Sequence, residues 1–220
     1  MGKVFDEEIV TLKADFMKLG ALVSEAIANA GQAFIDHDVA AAKTIITNDH
    51  EINHLQIHIE KRSFEMIALY QPVTGDLREV VGILKAVTDL ERAGDHARNI
   101  ARETVQIKGE PRISEVETII ATMARGVSEQ YDDSMDSYGT ADQAKAKETA
   151  RMYDQKMDDL YNDIAAPSYQ AMAKDPDIVS SAIIYLNVAK DLGRISDYST
   201  NICEWTVYLA TGKIIELTET

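Results

Sequence analysis

Apolar residues recur along this chain at intervals of three and four, and the alternation of a half-buried strand is absent. The pattern predicts helices, and its interruptions say where they stop. Pro72 and Gly75, then Gly109 and Pro111, then Pro176 break it. Proline does not continue a helix interior, and glycine ends a helix at little cost. Softer breaks fall at His37-Asp38 and at Tyr138-Gly139-Thr140. Six helices are predicted, over 4–36, 39–70, 76–108, 112–138, 141–173 and 177–211. Asp76 and Ser114 are expected to cap the third and fourth, where a short side-chain oxygen satisfies a free backbone N–H. Pro167 is expected to kink or stop the fifth.

The six helices are three used twice. Placing Asp89 on Asp191 puts Leu90 on Leu192, Arg92 on Arg194, Asp95 on Asp197, Asn99 on Asn201 and Ile100 on Ile202 without a gap. Placing Asp49 on Asp154 puts Ile52 on Met157, Leu55 on Leu160 and Ile59 on Ile164. Internal repetition of this kind decides the architecture. The expected fold is all-α, with two tandem antiparallel three-helix bundles related by duplication, over 1–109 and 110–220.

Charge narrows the partners. With 22 basic and 37 acidic residues the net charge is −15, a field that repels nucleic acid and anionic headgroups. The single cysteine, Cys203, allows no internal disulfide and lies where the repeat has Ala101, so it is expected to pack as a small residue. No stretch reaches the roughly 20 apolar residues of a membrane span. MGKVFDEEIV lacks the apolar core of a signal peptide, so a cytoplasmic protein is expected. Trp205, Tyr208 and Leu209 on the last helix are expected to pack in the core or to cover a dimer or partner surface.

Candidate chemistry lies in acidic residues four apart. Asp49 and Asn53, Glu91 and Asp95, and Asp154 and Asp158 are such pairs; Gly193 and Asp197 form a depleted fourth. That spacing puts two side chains one turn apart on nearly one face of a helix. Each pair borders an apolar stripe, where a carboxylate is costly unless paired or bound to a cation. Two readings follow. Oxygen ligands from neighbouring helices suit Mg, Mn or iron, as in carboxylate-bridged helical bundles; alternatively Arg92 and Arg98 pair the acids. His50-Glu51-Ile52-Asn53-His54 fits the H-E-x-x-H pattern of zinc hydrolases. His54 and His58 fall on the helix side away from Ile52, Leu55 and Ile59, which predicts a solvated face. No Gly-rich phosphate loop and no Ser-His-Asp or Cys-His pattern is present.

DLERAGDH with ARNI, the C-terminal TNICEWTVYLATGK and the QPVTGDLR segment resemble the signature helices and loop of the PhoU family. The resemblance implies a non-enzymatic accessory protein of phosphate transport. Such a protein would link the ATPase subunit of a phosphate ABC transporter to a sensor histidine kinase, as a negative regulator when phosphate is plentiful and as a homodimer. It also implies iron or zinc in multinuclear clusters, with Asp49, Glu91 and Asp95 as ligands in the first bundle and Asp154, Asp158 and Asp197 in the second. Asn53 and Gly193 stand where the family carries acids; Asn53 still offers a carbonyl oxygen. Arg92, Arg194 and, in the QPVTGDLR loop, Asp76 and Arg78 are the candidate partner contacts. The alternatives are a metal-storage or redox bundle and a metal-dependent hydrolase built on the histidine ladder.

Overall fold

The computed structural model describes residues 2–218. Six long helices fill it: α1 (Gly2–Asp36), α2 (Val39–Tyr70), α3 (Thr74–Gln106), α4 (Ser114–Thr140), α5 (Gln143–Lys174) and α6 (Val179–Thr211). A short 3-10 turn, Pro176–Ile178, leads into α6, and no strand occurs among the described residues. Connections of two or three residues join α1 to α2, α2 to α3 and α4 to α5. So short a link leaves consecutive helices antiparallel neighbours. Each triplet packs on itself, and the 1–109/110–220 division falls in the α3–α4 connection.

The caps differ from expectation. Side-chain capping comes from Asp38 and Asp142, whose Oδ1 atoms each accept two backbone N–H groups at the starts of α2 and α5. Asp76 instead lies within the first turn of α3, after an N-terminal Val73, and Ser114 is the first residue of α4 after Ile113. Pro167 does not stop α5, which continues to Lys174.

The triplets face each other through α1 on α4 and α3 on α6. Leu12, Phe16, Leu19, Ile83, Leu90, Ile120, Tyr131 and Leu192 join one continuous hydrophobic core that crosses between them. Tyr131 donates to the Gly20 carbonyl (3.2 Å), and the Phe16 and Tyr138 rings lie 4.6 Å apart. The Met135 methyl fills the space beside Gly20 that a Cβ would take. At one end, Glu117 accepts from Arg112 through both carboxylate oxygens and from Tyr185 (2.8 Å), with His37 Nε2 at 3.1 Å. These contacts tie the α1–α2 and α3–α4 connections to α6.

Candidate acidic sites and the seam between the halves

The two repeats bring their acidic residues to related places with different partners. In the first half Asp49 is 8% exposed, on the inner side of α2. Arg98 of α3 donates to Asp49 Oδ2 (2.5 Å) and pairs with Asp95 Oδ1 (2.8 Å). Asn53 donates to Asp49 Oδ2 (3.1 Å). Glu91 belongs to the same electrostatic group. Burial raises its carboxyl above the ordinary 4.5, the charges of Asp95 and Asp49 raise it further, and Arg92 and Arg98 oppose them. Arg98 thus bridges Asp49 and Asp95, with Asn53 bonded to Asp49 and Glu91 within electrostatic reach of all three charges.

In the second half Asp154, Asp158, Gly193 and Asp197 line a cavity of about 450 Å³ between α5 and α6. Asp154 and Asp158 are exposed. Arg194 donates to Asp197 (3.1 Å). Asp197 is exposed as well, at 60% of its side chain; partial desolvation in the cavity wall raises its carboxyl above 3.8, Arg194 works against this, and Asp158 and Asp154 add to it. Gly193 leaves open space, since a Cβ there would meet nothing within 4 Å.

The fit to a cation is partial. Asp49 Oδ1 and Asn53 Oδ1 are buried and have no hydrogen-bond partner, and such oxygens suit a hard cation. Among the described residues, however, no three His, Cys, Asp or Glu side chains converge as a ligand set. Arginine charge stands in both places, from Arg98 in the first half and Arg194 in the second.

His54 and His58 are exposed along α2, as their wheel position predicts, and His50 is exposed as well. His50 Nδ1 lies 2.6 Å from the Thr47 carbonyl oxygen and His58 Nε2 lies 3.5 Å from Asp15. Of the candidate partner residues, Arg92, Arg194 and Asp76 are exposed, whereas the Arg78 guanidinium packs against Gly212 at the end of α6. Cys203 is fully buried, as its repeat position predicts.

The seam between α3 and α6 carries polar contacts that sequence reasoning left without a role. Asp89 accepts from the Trp205 indole N–H (2.8 Å) and from Asn201 (3.2 Å). Its repeat counterpart Asp191 lies 2.7 Å from His96 Nδ1, and His96 stacks on Tyr198, its own counterpart. Asn187 donates to Glu103 (2.9 Å) across the same seam. The signal was in the sequence, as the coincidence of Asp89 with Asp191, but the partners lie 95 to 116 residues away.

This is a duplicated all-α protein whose halves meet through their signature helices and carry acidic sites beside the core. A family model described as "PhoU domain" matches it twice, over residues 16–104 and 120–206. The chain belongs to the PhoU family. It is 34% identical over 218 residues to a phosphate-specific transport system accessory protein PhoU homolog of Clostridium acetobutylicum, covering 99% of both chains. It is 35% identical to the Aquifex aeolicus protein of the same description, over 96% of this chain and 94% of that one. The crystal structure of the phosphate transport system regulatory protein PhoU from Streptococcus pneumoniae superposes with TM-score 0.86 and 32% identity, over 96% of this chain and 99% of that one. PhoU from Pseudomonas aeruginosa gives 0.89 at 28% identity, over 95% and 100%. No described helix is long and apolar enough to cross a membrane.

Proposed function

We propose that this protein is a non-enzymatic cytoplasmic regulator of phosphate uptake. It docks on the ATPase subunit of a phosphate ABC transporter and relays phosphate sufficiency to a sensor histidine kinase, holding the starvation response off. The descriptions of its relatives support the phosphate connection. The observation that carries the docking role is the α2–α3 corner. Leu69 and Val73 are 68% and 67% exposed there, Leu77 lies beside them in sequence, and Thr74 holds φ +51. A β-branched residue in the left-handed region is strained, and strain of this kind collects at sites of function. An exposed apolar corner on a rigid body of net charge −15 is what a protein partner needs and a lipid surface does not. The homodimer belongs to the same proposal.

Metal binding is a second part of it. Asp49, Asn53, Glu91 and Asp95 would hold a cation in the first half, and Asp154, Asp158 and Asp197 in the second. Iron, zinc, manganese or magnesium would supply there the positive charge that Arg98 and Arg194 now supply.

Affinity purification of the tagged chain from its host at high phosphate tests the docking role. The ATPase subunit should co-purify, and Val73→Asp should abolish this with the melting temperature unchanged. Absence of that subunit from the wild-type preparation overturns the reading.

A further inference from the structure

The chain does not leave the bundle at the end of α6. Gly212 takes φ +73, a conformation that favours glycine, and the Arg78 guanidinium packs on it so closely that a Cβ would fall 2.8 Å from Cζ. Residues 213–218 then run back along α6, over the groove between α5 and α6. Ile215 and Leu217 are partly buried, while Ile214, Glu216 and Thr218 are exposed. Side chains alternate inward and outward along the non-helical segment, whose backbone bends at Leu217 and Thr218.

The inward pair seats on Ala146, Ala150, Cys203 and Val207. The Leu217 N–H donates to Glu204 Oε1 (2.9 Å), and Thr218 joins the lining of the acidic cavity. Beneath this strap Cys203 is fully buried, and burial pushes its thiol up to about 12. The repeat shows why the groove has room. The same four positions in the first half are Ala41, Ile45, Ala101 and Val105. There an isoleucine of the helix itself takes the space that strap side chains take in the second half.

We infer that the α5–α6 groove is a peptide-docking site, which takes an extended segment of a partner protein with apolar residues two apart. The chain's own strap is its resident occupant. Both inner side chains of the strap are only partly buried, which leaves them open to replacement by a competing segment. The partner's inner residues would replace Ile215 and Leu217, and one of its N–H groups would meet Glu204. The preference for a protein segment follows from what the groove already binds.

The test uses the full chain carrying Ile215→Asp with Leu217→Asp, with helical content checked by circular dichroism. Cys203 is the sole cysteine, so N-ethylmaleimide labelling reports directly on the groove. Labelling should be at least about tenfold faster than in the wild type, with Leu217→Ala in between. A fluorescent peptide of residues 212–218 should bind the double variant saturably and the wild type at least about tenfold more weakly, by competition with the resident strap. The same peptide with aspartate at both inner positions should not bind. Unchanged labelling in both variants, or no saturable binding to the double variant, overturns the inference. Protection that rises with wild-type concentration, with dimers, would make a second copy the occupant and overturn the assignment to another protein.

Discussion

The Trp205 indole N–H donates to Asp89 across the seam between α3 and α6, at 2.8 Å, and this bond joins the two copies of the repeat. Asp89 is 8% exposed and also accepts from Asn201. Truncating it leaves two donors unpaired inside the interface. Asp89→Ala should therefore cost about 2–4 kcal/mol. The melting temperature should fall by about 5–10 °C. Trp205 is the only tryptophan, so its emission should shift in the folded variant. A melting temperature within about a degree of wild type would show that the Asp89 bonds add nothing to the stability of the seam.

Glu91 gives a pH dependence of known sign. Burial, with Asp95 and Asp49 alongside, raises its folded value above 4.5. The folded chain then holds this proton more tightly than the unfolded chain does. Stability is lost as pH rises from 4.5 through the raised value. Glu91→Gln keeps the shape and stays neutral. In buffer with chelator it should melt higher than wild type at about pH 7.5, and the gap should close by about pH 4. A variant that melts lower at neutral pH would contradict the electrostatic account.

Arg98 is the internal cation of the first acidic set, bonded to Asp49 and paired with Asp95. Arg98→Ala leaves that charge uncompensated and should cost about 2–4 kcal/mol. If the set also accepts metal, added manganese or zinc should restore part of the variant's melting temperature and bind measurably by calorimetry. No heat and no recovery in the variant would remove the first set from the list of metal sites.

Gly193 tests the second set. The open space around it accommodates a longer side chain, and glycine inside a helix costs about 1 kcal/mol relative to alanine. Gly193→Glu adds the missing acid beside Asp154, Asp158 and Asp197. Divalent cations should raise its melting temperature several degrees more than that of the wild type, as a thermal titration would show. Equal responses would mean that the cavity does not gather cations.

What the sequence disclosed was what depends on neighbours along the chain. The helix limits followed from periodicity and from Pro72, Gly109, Pro111 and Pro176, because local sterics set them. The duplication followed from Asp89 on Asp191. Partnerships across the molecule did not follow. Asp89 as acceptor of Trp205, His96 beside Asp191, and Glu117 between Arg112 and Tyr185 depend on how α3, α4 and α6 come together. The caps were misplaced for a local reason. His37 and Ala141 take left-handed backbone, which brings Asp38 and Asp142 into the capping geometry. Neither residue type announces that conformation. Of the acidic positions read from spacing, Asp49 and Asp95 come together, on Arg98.

The regulatory role is tested most directly by deleting the gene in its host and growing the cells with abundant phosphate. Phosphate-responsive promoters should switch on and phosphate uptake should rise, with both reversed by the wild-type chain. Silent promoters and unchanged uptake would contradict the account.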